Sequence, residues 1–327
     1  MSETLVWVIG GGGFLGSHLR RVLSQHVAKA RLWESAPPHF SWTDPARLAE
    51  ELSQAVATFA EAVRAQRHAW ALLWCAGTGV VSSSPEALEP EWSAWTQLLD
   101  LLGRHLAGAG GDMPGSIFLA SSAGGVYGGS LGQLLTEHTP PRPVSDYGAH
   151  KLRMEQALLN WADAFPNLSS LIGRISSLYG PGQDLHKSQG IISHLSRCLI
   201  YRHPVNIYVS LDTRRDYFFA DDCAHQIAAS LGRLVTRRPR AILKIFASEE
   251  LTSLARIVGV FLRMAKHRPL IVSSQQPRRG TQPTSLKLRS QVWRDLDGLR
   301  KTDLAAGIHL VHEHQLTLFC QGLLPPP

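Results

Sequence analysis

The chain is predicted to fold as an α/β protein, a doubly wound parallel sheet with a smaller C-terminal α/β lobe. Three observations carry that reading. Short, almost wholly apolar runs alternate with helical stretches through the first half, as expected of parallel strands covered by helices. The first run opens directly into a glycine-rich turn and a helix, Gly10-Gly11-Gly12-Gly13-Phe14-Leu15-Gly16. After Tyr179-Gly180-Pro181-Gly182 the elements shorten, and their connections become rich in Arg, Pro and Ser.

In chain order, residues 5–9 form the first strand and residues 14–26 its helix. A second strand covers 30–34, and Pro37-Pro38 then interrupts the chain. Thr43-Asp44-Pro45 reads as a cap leading into a helix over 46–67. Residues 71–76 make a third buried strand ending in Gly77-Thr78-Gly79, and 88–106 a helix. A strand at 116–121, a helix from about Tyr147 to Trp161 and a strand at 168–175 complete the first half. The expected division is 1–178 for the first domain and 179–327 mainly for the second lobe, with some elements returning to the first. The tail at 323–327 is expected to fray.

Composition excludes several classes. At 327 residues, 44% apolar and 18% charged, the chain matches an ordinary globular enzyme able to bury a large core. Its net charge of +7 is dispersed, with short clusters at Arg237-Arg238-Pro239-Arg240 and Arg278-Arg279. Without a Lys/Arg stripe and interleaved aromatics, a basic cleft for an anionic substrate is the better reading than nucleic-acid binding. Cys75, Cys198, Cys223 and Cys320 are far apart and form no C-x-x-C, so reduced thiols are expected rather than a metal site or disulfide framework. Met1-Ser2-Glu3-Thr4 enters the first strand directly, and no apolar run is long enough to span a bilayer. A cytoplasmic location without membrane association is the expectation.

The chemistry lies in a few constellations. Gly10, Gly13 and Gly16 fit G-x-x-G-x-x-G between strand and helix, where backbone N–H groups can approach a dinucleotide pyrophosphate. Glu34, at the end of the second strand, either accepts from adenosine ribose hydroxyls or is an ordinary surface glutamate. In the first role it repels a 2′-phosphate, and no Arg or Lys follows until Arg47, so NAD is favoured over NADP. Ser121 and Ser122 lie in Ala120-Ser121-Ser122-Ala123-Gly124-Gly125-Val126-Tyr127-Gly128, at a strand end where open α/β sheets bind ligands. Tyr147 and Lys151 form Y-x-x-x-K on one helix face. An ammonium beside a phenol favours the phenolate, which suits oxidation of a secondary alcohol by a nicotinamide. Arg215, in Arg214-Arg215-Asp216-Tyr217, either meets phosphate oxygens or pairs with Asp216.

With these motifs in this order, the chain resembles the extended short-chain dehydrogenase/reductases, specifically the NAD-dependent nucleotide-sugar epimerase/dehydratase family. The resemblance runs from Gly10 to about Gln315 and rests on the glycine loop, S-S-x-x-x-V-Y-G, Y-x-x-x-K, Y-G-P-G and R-D-Y-x-x-x-x-D. It implies a Rossmann-type first domain and a nucleotide-sugar lobe. Tyr147 would be the base, Lys151 its pKa-lowering and ribose-binding partner, and Ser122 the nearby hydroxyl. Gly10, Gly13, Phe14, Leu15, Gly16, Glu34, Ala76, Gly77 and Ser121 would hold NAD alongside them. Ser122, Ser177, Gln189 and Arg215 would meet a nucleoside-diphosphate sugar, and a homodimer pairing the helices after Leu88 and Tyr147 is the expected assembly.

Several residues depart from the family pattern. The catalytic hydroxyl usually lies three residues before the V-Y-G valine, where this chain has Ala123, with Ser122 adjacent. Ser177 stands for the usual asparagine, and Gly124-Gly125 for the Asp-Glu pair of the 4,6-dehydratases. Glycines exchange no protons, so reversible oxidation at C4 in a roomy, glycine-lined site is expected rather than elimination of water. A 4-keto-sugar reductase using NAD(P)H is the alternative within the enzymes, and a non-catalytic dinucleotide sensor or scaffold the alternative outside them.

Overall fold

The computed structural model describes residues 3–25, 29–34, 39–66, 69–107, 114–132, 134–165, 168–185, 190–207, 209–237, 239–265, 271–273, 285–299 and 301–327. Strand β1 (Thr4–Ile9) is buried along its whole length and leads through the glycines into helix α1 (Phe14–Ser24). There follow β2 (Ala30–Trp33), α2 (Pro45–Gln66), β3 (Ala69–Trp74) and α3 (Pro85–Leu102). Strand β4 (Gly115–Ser122) runs into the single turn α4 (Ala123–Val126), then α5 (Asp146–Ala164), β5 (Leu168–Ile175) and β6 (Ser177–Tyr179). The second half holds α6 (Ile191–Tyr201), β7 (Val205–Ile207), β8 (Arg214–Phe219), α7 (Ala220–Arg237) and β9 (Ala241–Phe246). It closes with β10 (Leu251–Ser253), α8 (Leu254–Met264), β11 (Ile271–Ser273) and α9 (Leu304–Cys320).

The main sheet has the order β2-β1-β3-β4-β5-β9, every neighbour parallel, as the apolar runs predicted. Its strands are buried on both faces because helices cover both. On one side α2 presents Leu52, Val56, Phe59 and Val63 at helical spacing, all fully buried. Each such side chain contributes roughly 1.5–3 kcal/mol through lost contact with water. Phe59 packs on Trp7, Trp33 and Trp70, with ring centroids 5.3, 5.0 and 6.2 Å away. On the other side α1 and α7 pack together over Val6, Leu73, Phe118 and Phe246.

The chain order reverses between β1 and β3, so loops leaving their C-terminal ends diverge and leave a crevice. The second half does not form a separate layer throughout, since β9 joins the first sheet and α7 packs on it. The remainder builds a three-stranded sheet β10-β8-β6 and a two-stranded sheet β11-β7, packed with α6, α8 and α9 around Ile192, Phe219, Ile257 and Ile308. The tail does not fray as expected. Leu324 is buried, and its carbonyl accepts a 2.6 Å hydrogen bond from the Tyr201 hydroxyl, which pins the chain end to α6.

Candidate active site

Two of the loop glycines are required by close packing. Gly10 has φ +80°, and a Cβ there would lie 2.5 Å from the backbone nitrogen of Ala76. A Cβ on Gly16 would lie 2.2 Å from the Gly10 carbonyl oxygen, so α1 can approach the loop this closely only as glycine. The Gly13 N–H donates to that same carbonyl at 2.9 Å, and Gly13 begins α1. Gly10, Gly13, Phe14 and Leu15 form one wall of a cleft of about 1140 Å³, with Ala76 and Gly77 facing them from the end of β3.

Across the cleft stands α5. The Ser145 hydroxyl accepts from the Gly148 N–H at 3.2 Å and starts the helix, which puts Tyr147 in its first turn. Two tryptophans lock α5 to α3: Trp95 donates to the Met154 carbonyl at 3.2 Å, and Trp161 to the Leu99 carbonyl at 2.7 Å. The Tyr147 ring is held between two glycines. A Cβ on Gly125 would lie 3.1 Å from its Cε1, and one on Gly79 would lie 3.3 Å from its Cδ2. Gly125 is therefore packing against Tyr147 and is not the open space expected from the sequence, whereas Gly124 has nothing within 4 Å of such an atom.

Lys151 lies one turn along, its Nζ 5.8 Å from the Tyr147 ring centroid. Its nearest partner is a residue that sequence reasoning missed, Glu91 of α3, whose Oε1 accepts from Nζ at 2.6 Å. His150 Nε2 stands 3.5 Å from the other carboxylate oxygen. Burial resists the Glu91 charge, but Lys151 and His150 outweigh it and hold the carboxyl down at about 2. Burial likewise disfavours the Lys151 ammonium, and Glu91 overcomes it so that the net direction is upward. Gly77, with φ +136°, makes room for this carboxylate, since a Cβ there would lie 2.7 Å from Glu91 Oε1. Burial pushes the neighbouring Cys75 thiol up to about 12.

The serines separate by role. Ser122 ends β4, accepts from the Gly125 N–H at 3.1 Å and lines the cleft. Ala123 turns fully into the core with Leu135 and Leu286, so the hydroxyl at the cleft is that of Ser122. Ser121 also reaches the cleft wall, but its hydroxyl donates to buried Glu155 at 2.5 Å, a carboxylate that Arg174 binds at 2.6 Å. Glu34 is exposed, does not line the cleft and is paired at 2.6 Å with Arg20 of α1. Ser177 and Arg215 line the end of the cleft toward the second lobe, with Arg215 Nη1 donating to the Arg214 carbonyl at 2.9 Å. Gln189 lies outside the described residues. Gln183 lines the cleft, its Oε1 accepting from Ser193 at 2.7 Å, and Trp42, Leu286 and Leu288 add apolar wall that the motifs did not mark. Among the described residues no group of three or more His, Cys, Asp or Glu could hold a metal ion, and no helix is long and apolar enough to cross a membrane.

A sequence model described as the NAD dependent epimerase/dehydratase family matches residues 6–244. The chain belongs to that family. Within it, similarity to curated relatives is regional. A dTDP-L-rhamnose 4-epimerase of Burkholderia thailandensis is 35% identical over 130 residues, 39% of this chain and 32% of the relative. A UDP-glucose 4-epimerase of Mycolicibacterium smegmatis is 32% identical over 102 residues, 31% of this chain and 32% of the relative. A dTDP-4-dehydro-6-deoxyglucose reductase of Escherichia coli is 32% identical over 115 residues, 35% of this chain and 36% of the relative. The match thus spans about a third of each curated relative. The fold is shared throughout. The structure of MoeE5 in complex with UDP-glucose and NAD superimposes with a TM-score of 0.74 at 21% identity, covering 97% of this chain and 99% of that one. The UDP-glucose 4-epimerase of Thermus thermophilus in complex with NAD gives 0.71 at 21% identity, covering 95% and 98%.

Proposed function

We propose that this family member is an NAD-dependent nucleotide-sugar epimerase acting at C4 through a transient 4-keto sugar. The observation that carries the reading is the single cleft in which the glycine loop, Ser122, Tyr147, Lys151 and Arg215 face one another. Where the loop opens on the cleft at Gly12 and Gly13, with no protein atom within 4 Å of a Cβ placed at Gly12, the bare backbone suits a dinucleotide pyrophosphate, and Ala76, Gly77 and Lys151 would line the rest of its site. NAD held there would supply a reversible hydride acceptor for C4, and inversion requires the 4-keto sugar to turn in the cleft so that hydride returns to its other face. Tyr147 removes the C4 hydroxyl proton and later gives it back, so acid and base are one group. Lys151 keeps positive charge beside that phenol, and Ser122 donates to the C4 oxygen in place of a hydroxyl at Ala123. Arg215 meets the diphosphate, consistent with a net charge of +7, and Ser177 contributes a shorter polar contact beside it. A homodimer paired through α3 and α5 is the proposed assembly.

Regional similarity to the E. coli reductase favours a second reading, stoichiometric reduction of a 4-keto sugar. The test incubates the full chain with NAD and UDP-, dTDP- and GDP-hexoses and follows epimer formation and nicotinamide absorbance together. Epimer without net nicotinamide turnover is expected, whereas turnover equal to product establishes the reductase. Tyr147→Phe is expected to lower kcat by at least about a thousandfold while nucleotide-sugar binding persists. Unchanged turnover in that variant would sink the Tyr147 mechanism.

A further inference from the structure

The Lys151–Glu91 pair carries an inference about how the lysine is kept usable. The side chains of Lys151 and Glu91 are each 8% exposed, and they meet at 2.6 Å. A buried ammonium without a counter-charge gives up its proton readily, because desolvation penalises the charged form. The groups facing Lys151 come from three elements. Tyr147 and His150 flank it on α5, Cys75 lies at the end of β3, and Glu91 reaches in from α3. The Cys75 thiol stays protonated at working pH, and Glu155, one turn further along α5, is committed to Ser121 and Arg174. Among the described residues Glu91 is therefore the anion available to Lys151. The backbone around it is adapted to that placement, because at Gly77 a side chain would collide with the carboxylate.

We propose that Glu91 is a positioning residue that keeps Lys151 charged and anchored beside Tyr147 in the dinucleotide cleft. The inference deepens the reading above by adding a residue to its machinery, and its role is exerted through Lys151. Replacing Glu91 with an isosteric neutral group leaves the ammonium buried and uncompensated. The lysine then loses its proton at lower pH, and with it the positive charge beside Tyr147. Lys151 function is thus full below its folded pKa and is lost as pH rises through it.

The decisive measurement is competitive labelling of the full-length protein with acetic anhydride across a pH series, reading the Lys151 peptide by mass spectrometry. In the wild type the Lys151 midpoint is expected above the ordinary lysine value of about 10.4. In Glu91→Gln it is expected to fall by at least about one pH unit, a factor of ten in proton affinity. The alkaline limb of the kcat profile should move down with it. Glu91→Asp, which retains an anion, is expected to return most of the midpoint. A wild-type midpoint below the ordinary lysine value overturns the inference even if Glu91→Gln does not fold. So does a folded Glu91→Gln protein with unmoved midpoint and limb, the result of a merely structural pair. Labelling needs no turnover, so failure of the epimerase reading leaves this test decisive.

Discussion

Replacing Gly125 with alanine tests whether the position of Tyr147 is set by the glycines around it. The added Cβ would lie 3.1 Å from Tyr147 Cε1, 3.2 Å from Cδ1 and 3.3 Å from Gly148 Cα. Carbon–carbon contacts are optimal near 3.5–4.0 Å, so about half an ångström of room is missing. Gly148 cannot supply it, because its own Cα is already packed against the Gly125 carbonyl, and a Cβ there would lie 2.2 Å from that oxygen. The Tyr147 ring must therefore slide toward Gly79, into the space that a side chain at Gly79 would occupy. A shift of 1 Å in a reacting group costs about a hundredfold, so half of that should lower kcat by about tenfold. Stability should change little. Overpacking costs about 1–3 kcal/mol, while alanine in place of glycine in a helical turn recovers up to about 1 kcal/mol. The assay pairs kcat for C4 epimerisation with a thermal melt. In parallel, Gly148→Ala should lose several kcal/mol and melt far lower, because it forces backbone against backbone. If Gly125→Ala retains kcat within twofold of wild type, the wedge is not what places Tyr147.

Two further outcomes follow from other buried or paired groups. Asp216 lines the cleft, and burial pushes its carboxyl from 3.8 up to about 6 against hydrogen bonds from Ser176 and Ser248. The folded protein therefore binds a proton there that the unfolded chain has released, and the resulting stabilisation, about 3 kcal/mol, is present below pH 4 and lost as pH rises through 6. Urea denaturation of wild type and Asp216→Asn across pH 4–8 should diverge by that amount, and a constant difference refutes the assignment. At the far end of the cofactor region, Glu34→Ala removes an anion and releases Arg20 from their 2.6 Å pair. Affinity for NADP relative to NAD should rise by about tenfold in calorimetric titrations at fixed salt, and Arg20→Ala in that background should cancel the gain. An unchanged NADP-to-NAD ratio means that neither side chain reads the adenosine ribose.

The sheet was legible because parallel strands buried on both faces must be apolar throughout; the third strand was expected over 71–76 and lies two residues earlier, at Ala69–Trp74, within the same apolar run. The glycine loop was legible for an equally local reason, since Gly10 and Gly16 answer to backbone contacts within the same turn and the adjacent strand. Helix α3 begins at Pro85, earlier than expected, although Ser84 as cap and Pro85 in the first turn carried the signal. What escaped depends on chain crossing space. Glu91 looks like one more helix-surface glutamate until α3 and α5 are packed by Trp95 and Trp161. Leu286 and Leu288 reach the cleft only because a short parallel bridge pairs Leu135 with Leu288. The expectation that 323–327 frays failed because terminal position says nothing about burial, and Leu324 found a partner in Tyr201.

The glycines around the site connect these findings. Gly79 and Gly125 border the ring of Tyr147, and Gly77 borders the carboxylate that holds Lys151. Each leaves out a Cβ at a contact that a functional side chain occupies. A sequence reader sees Gly77-Thr78-Gly79 and Gly124-Gly125 as flexible loop or empty space, because glycine's commonest use is conformational freedom. Here only Gly77 of the three bordering residues has positive φ, so at Gly79 and Gly125 an added side chain is resisted by its neighbours, Leu88 and Tyr147, and not by its own backbone. The tyrosine and the lysine are thus held from the sides where glycines let helices and loops close on them. Side chains added at these positions would displace the reactive groups before they unfolded the protein, which makes the glycines part of the site's geometry.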